Sequence, residues 1–129
     1  MLCLANSEMS LLESSIERGS LVHKASVITM DNAVLAFFYE GSMKIGTIAI
    51  STAGLRDGVT GTSSVLLGGK YLIASRALAE KVAATFNKMG IVSLNTQLAE
   101  GEALRLYSTL LDKARQTGPT GPQDTSSKG

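Results

Sequence analysis

The chain has 129 residues, of which 44% are hydrophobic and 18% charged, so length and composition predict a single globular domain. Its 12 basic and 11 acidic residues are interspersed along the chain, which argues against a nucleic-acid-binding surface. Cys3 is the only cysteine, which excludes an internal disulfide and favours a reducing, cytoplasmic location. No apolar run approaches the length of about 18 residues that a membrane span requires, so we expect no membrane partner.

Composition divides the chain into three segments. Residues 1–19 fit either a short helix or an edge strand. Residues 20–116 carry the regular hydrophobic patterns of an α+β domain. Residues 117–129 hold both prolines and have no aliphatic or aromatic side chain, so they are predicted to be a disordered tail.

The first half of the domain is typical of strands. Apolar and β-branched runs predict strands over residues 21–30, 33–40, 45–51 and 62–67, and a further strand over 91–96. Asp31-Asn32 and Gly41-Ser42 suit tight turns, and short turns join antiparallel neighbours. The pattern therefore predicts an antiparallel meander of about five to six strands.

From Tyr71 on, the spacing of the hydrophobic residues changes to three and four residues, which predicts two helices. The first predicted helix begins near Tyr71, carries an apolar stripe and ends at Gly90 as its C-cap. The second is predicted from about Glu100 to Arg115, with Glu100 and Glu102 placed favourably for its own dipole. Both helices are expected to pack on one face of the sheet, which defines an α+β fold. The first stripe comprises Leu72, Ala79, Val82, Phe86 and Met89, and the second comprises Ala103, Leu106, Tyr107, Leu110, Leu111 and Ala114.

One predicted strand is apolar on both faces. Residues 33–39 do not alternate with polar residues, as a half-exposed strand would. Two helices can cover one face of the sheet, so the second face must be covered by the N-terminal segment or by another copy of the chain. We therefore predict dimerisation, with an interface at Phe37, Tyr39, Ile48 and Ile50.

The residues that usually carry chemistry are sparse. His23 is the only histidine, so a histidine-based metal cluster is excluded, and a lone strand histidine favours a structural role. Gly68-Gly69-Lys70 departs from a phosphate-binding loop at Ser64 and Tyr71, and a strand-to-helix corner explains it better. The sequence thus predicts no catalytic residue, cofactor or metal, and a protein that is not an enzyme.

Three segments resemble a known family, the proteasome assembly chaperone 3 family. Residues 34–47, with Gly41, Lys44 and Gly46-Thr47, are similar to its hydrophobic hairpin. Residues 62–68 resemble the strand before its long helix. Leu94 and residues 100–104 are similar to its last strand and final helix. The resemblance covers roughly residues 20–115, and an archaeal-type homologue is one form that such a relative could take.

The resemblance implies a small non-enzymatic chaperone that pairs with itself or a related subunit. Such dimers bind α-subunits of the 20S proteasome and guide assembly of the α-ring. The tail after Arg115 is longer than the family pattern, and the loop over residues 52–61 differs in composition. Because loops carry recognition more often than sheets, we predict that this loop contacts the α-subunit. The predicted contact residues are Arg56, Asp57, Val59 and Thr60.

Two other functions fit a small sheet-and-helix domain. The first is a roadblock- or profilin-like dimeric scaffold for a GTPase or a cytoskeletal regulator, and composition does not distinguish it from the chaperone. A small-molecule enzyme is disfavoured, because turnover requires convergent polar groups in a pocket and the sequence shows none.

Overall fold

The computed structural model describes residues 9–52 and 63–117, which form six strands and two helices. The strands form one sheet in the order β1-β2-β3-β6-β4-β5, and both helices pack on the same face of it. The predicted α+β class is therefore confirmed. In chain order the elements are β1 (Ser10–Arg18), β2 (Leu21–Thr29), β3 (Ala33–Glu40), β4 (Thr47–Ser51), β5 (Ser63–Leu67), α1 (Leu72–Phe86), β6 (Met89–Asn95) and α2 (Glu100–Thr117).

The sheet has six strands, within the predicted five to six, and is mostly antiparallel, but it is mixed, so the prediction of a single antiparallel meander is wrong. Strands β1, β2 and β3 do form a meander, but β6 lies between β3 and β4 and runs parallel to β3. The short turn at Asp31-Asn32 holds β2 and β3 together as antiparallel neighbours. Residues 41–46 form a longer connection, which lets β3 and β4 separate by one strand width so that β6 can enter.

The ambiguous N-terminal segment contains an edge strand. Strand β1 pairs along its whole length with β2, from Ser10 opposite Thr29 to Arg18 opposite Leu21. Residues 10–18 therefore extend the sheet and do not cover its second face. Of the two coverings that the sequence left open, the one by the N-terminal segment is thus not made by residues 10–18.

Helix α1 ends earlier than predicted. Its C-cap is Asn87, which adopts the left-handed conformation (φ 56°) and donates its backbone N–H to the Ala83 carbonyl. Gly90, the predicted C-cap, lies in β6 directly beneath α1. A Cβ at Gly90 would lie 3.0 Å from both the Ala79 carbonyl oxygen and the Ala83 nitrogen, so glycine allows the helix to approach the strand closely.

The buried face of α1 is displaced along the helix from the predicted stripe. Ala79 and Val82 are buried as predicted, but Leu72 is 46% exposed and Met89 belongs to β6. Leu72 is the first residue of the helix, and the buried face begins two residues later at Ala74. The buried residues of α1 are Ala74, Ser75, Leu78, Ala79, Val82 and Ala83.

Helix α2 follows its prediction closely. It begins at Glu100 as predicted and extends two residues beyond Arg115, to Thr117. It packs against β1, β2 and α1, and its inward stripe closes the core over the β1 end of the sheet. All six residues of the predicted stripe are buried, namely Ala103, Leu106, Tyr107, Leu110, Leu111 and Ala114.

Candidate functional site

The face of the sheet opposite the helices carries an apolar row. Strand register aligns one large aliphatic side chain from each of five strands across the sheet. Within the described residues, no element packs over this open face. A continuous apolar surface of this kind is typical of a protein–protein interface. In spatial order the row consists of Leu11, Ile28, Leu35, Ile91 and Ile50.

The four predicted interface residues all lie on this open face. Ile50 belongs to the apolar row, while Phe37 and Ile48 flank Ser93 in the next row. Phe37, Ile48 and Ile50 are partly exposed, so a partner could cover them. Tyr39 is only 6% exposed, and its hydroxyl lies 3.1 Å from the Ser26 hydroxyl. The structure therefore brings the four together, with Tyr39 already largely covered by its own chain.

Away from the apolar row, the part of the open face formed by β1 and β2 is polar. Here a shallow pocket of about 310 Å³ is bounded by Glu13, Lys24, Ser26 and Tyr39, among others. Glu13 accepts a hydrogen bond from the Ser26 hydroxyl at 3.4 Å. The face thus offers an apolar centre with an acidic and a basic residue at one side, which suits a self-complementary or closely related partner.

A buried polar cluster between sheet and helices was not anticipated from the sequence. His23 Nδ1 lies 3.0 Å from the Tyr107 hydroxyl and 3.9 Å from Glu40 Oε2. The same Glu40 oxygen accepts hydrogen bonds from the Thr96 hydroxyl and from the backbone N–H of Gln97, the latter at 2.6 Å. His23 is 1% and Tyr107 0% exposed. These contacts agree with the structural role predicted for His23, because its polar neighbours are hydrogen-bonded within the fold.

The stripe of α2 predicts that Tyr107 is buried, and the alternation of β2 could have indicated the same for His23. Their pairing could not be found locally, because 84 residues separate them. Glu40 was missed because it ends an apolar strand, where a carboxylate usually marks the return to solvent. Its actual surroundings depend on the loop after β6, which is distant in sequence.

Burial raises the pKa of Tyr107 to about 12. In the unfolded chain the phenol titrates near its ordinary value of about 10, so the unfolded state loses a proton first as the pH rises. The stabilisation is therefore complete below pH 10 and is lost between about pH 10 and pH 12.

We expect Tyr107→Phe to remove this component of the alkaline destabilisation, which amounts to about 2 kcal/mol between pH 8 and pH 11.5. Urea unfolding at pH 8 and pH 11.5 gives the change in the free energy of unfolding for each protein. The difference between the wild type and the variant is then the contribution of Tyr107. Equal pH dependence in the two proteins would contradict the assignment. At pH 8 the variant should be less stable by about 1 kcal/mol, since it lacks the hydrogen bond to His23.

The predicted recognition loop falls outside the described residues. Arg56, Asp57, Val59 and Thr60 lie between residue 52 and residue 63, so their role stays a prediction. In the described part of the chain, no three His, Cys, Asp or Glu side chains are grouped to hold a metal ion. Among the same residues, neither helix has the length and apolar character needed to cross a membrane.

Comparison with known proteins gives a likeness of fold. No protein-family model matches the sequence, and no curated protein matches it. Among solved structures, the chain is similar to one from the crystal structure of a novel chaperone complex for yeast 20S proteasome assembly. The similarity has a TM-score of 0.63 at 14% sequence identity and covers 85% of this chain and 98% of the yeast one. The chain therefore has a fold like that of a proteasome assembly chaperone.

Proposed function

We propose that this protein is a non-enzymatic assembly chaperone that binds α-subunits of the proteasome and assists assembly of the α-ring. The observation that supports it most directly is the fold, which matches nearly the whole length of a chain from a yeast 20S proteasome assembly chaperone complex. The resemblance of residues 34–47 and 62–68 to the chaperone 3 family is independent of that comparison, because it rests on sequence.

The test is direct binding of purified proteasome α-subunits. The purified chain is mixed with each subunit in turn, and native mass spectrometry identifies the complexes. We expect a stoichiometric complex with at least one α-subunit and faster appearance of α-ring intermediates when the chain is present. Failure to bind any α-subunit would overturn the proposal.

We further propose that the chaperone acts as a dimer, with a second copy or a related subunit packed on the open face. The apolar row spans five strands, and a partner sheet would bury it together with Phe37 and Ile48. A second apolar sheet is the simplest covering, because β1 extends the sheet and leaves the face itself uncovered by residues 10–18.

Charges placed in the open face should break this dimer. We expect the double variant Ile48→Lys/Ile50→Lys to raise the dimer dissociation constant at least about 100-fold, because two ammonium groups would be buried without partners. Light scattering measures the mass, and a melting curve checks the fold. Leu21→Lys is the control, since Leu21 is 44% exposed and lies on the helix side of β2. An undiminished dimer in the double variant would contradict the assignment.

A further inference from the structure

A second candidate surface lies beside the start of α1, away from the open face. Residues 69–73 form one wall and residues 98–100 the other, and they enclose a groove of about 530 Å³, called the α1 groove below. Leu72 and Ile73 line it with exposed fractions of 46% and 70%. These are large values for side chains of this type, and they mark the groove as a surface suited to an apolar partner.

The two walls of the α1 groove are tied together by hydrogen bonds. The Tyr71 hydroxyl lies 2.8 and 2.7 Å from the Thr96 and Leu98 carbonyl oxygens, which share its single proton. From the other wall, Glu100 Oε2 accepts the backbone N–H groups of Ile73 and Ala74 at 2.6 and 2.7 Å. The groove is therefore preformed, which reduces the entropy lost when a ligand binds.

Its charge pattern defines the chemistry of the occupant. Among the described residues that line the groove, Glu100 is the only carboxylate, and it accepts hydrogen bonds from the N–H groups at the start of α1. Lys70 is exposed at the rim, where its ammonium lies 5.5 Å from the centre of the Tyr71 ring. Among the described residues Lys70 forms no ion pair. An apolar side chain with a nearby carboxylate is complementary to this arrangement.

We propose that the α1 groove receives an apolar side chain of the proteasome α-subunit, while a neighbouring carboxylate of that subunit pairs with Lys70. This inference rests on the proposed function and assigns the surface that performs it. The groove is formed by the loops after β5 and β6 and by the first residues of the two helices, and none of its lining residues belongs to a strand. A second copy on the open face would therefore leave the groove accessible.

The test compares variants of the full chain in binding to the purified α-subunit that the wild type captures. Ile73→Glu and Lys70→Glu should each raise the dissociation constant at least about tenfold, as substitutions at central interface positions commonly do. Lys70→Arg should retain binding, and added salt should weaken wild-type binding more than it weakens that of Lys70→Glu. Light scattering should give the same oligomer mass for all variants.

Two control variants carry the same kinds of substitution as the groove variants but lie outside the α1 groove. Leu21→Glu places a carboxylate at an exposed leucine, and Arg115→Glu reverses a charge near the far end of α2. Both should bind like the wild type.

The loop variant Arg56→Glu/Asp57→Lys is measured in the same assay, to test the predicted contact between this loop and the α-subunit. If Ile73→Glu and Lys70→Glu both bind with wild-type affinity, the groove assignment is overturned while the proposed function still stands. The same conclusion follows if the two groove variants lose no more affinity than the two controls. If the wild type binds no α-subunit, the proposed function fails and the groove assignment fails with it.

Discussion

Replacing Gly46 with alanine is expected to lower the free energy of unfolding by about 3–4 kcal/mol. An added Cβ would lie 2.1 Å from the Leu94 carbonyl oxygen and 2.7 Å from its carbonyl carbon, so backbone must move. Gly46 immediately precedes β4, and its N–H donates to the Ser93 hydroxyl at 2.9 Å. A shift here would disturb the pairing of β4 with β6 at the centre of the sheet, including Thr47 opposite Leu94.

Urea denaturation measures this effect. Gly101→Ala is the matched control, because nothing lies within 4 Å of a Cβ at Gly101 and the residue is in α2. Alanine is favoured over glycine within a helix by about 0.5–1 kcal/mol, so the control should be slightly stabilised. If both variants unfold at the same urea concentration, the close approach of residue 46 to β6 is refuted.

Glu40→Ala is expected to destabilise the protein by about 3 kcal/mol. Glu40 is 7% exposed and links the end of β3 to the loop after β6, through the Thr96 hydroxyl and the Gln97 N–H. Alanine would leave both donors without their acceptor in a poorly hydrated site. Because Thr96 and Leu98 also accept from Tyr71, the loss would spread to the wall of the α1 groove.

Glu40→Gln separates hydrogen bonding from charge. The amide oxygen can still accept from both donors, so we expect a loss of only about 1 kcal/mol. Urea unfolding gives the stabilities, and hydrogen exchange at Gln97 and Leu98 reports on the loop. Faster exchange at these amides in Glu40→Ala, but not in Glu40→Gln, is the expected pattern. Equal stability of Glu40→Ala and the wild type would show that Glu40 does not anchor the loop.

The N-terminus of α1 is capped by a side chain from another helix, which the local sequence does not reveal. From the sequence, Glu100 is expected to interact with the dipole of its own helix α2, because it is that helix's first residue. In the structure its carboxylate also binds the N–H groups of Ile73 and Ala74, which belong to α1. Tyr71, the N-cap residue of α1, has a left-handed backbone (φ 59°) and makes no side-chain cap hydrogen bond. The missing cap is thus supplied from 26 residues away.

The sequence by itself determined which residues of α2 face inward, and it showed that β3 is apolar on both faces. This was possible because burial repeats with the period of each element, and that period is visible in a short window. Alternation also grouped Phe37 with Tyr39 and Ile48 with Ile50, each pair on one side of its strand, whereas the register through β6 decided that both pairs share the open face. Their role in a dimer stays a prediction.

Only the tertiary structure decided the strand order and the contacts that join distant segments. The position of β6 between β3 and β4 depends on which strand edge the chain meets after α1, and no local period encodes that choice. The same holds for Glu40 with Gln97, His23 with Tyr107, and Glu100 with the start of α1. These side chains are positioned by packing between elements, because a hydrogen bond forms only after the long-range fold has brought its partners together.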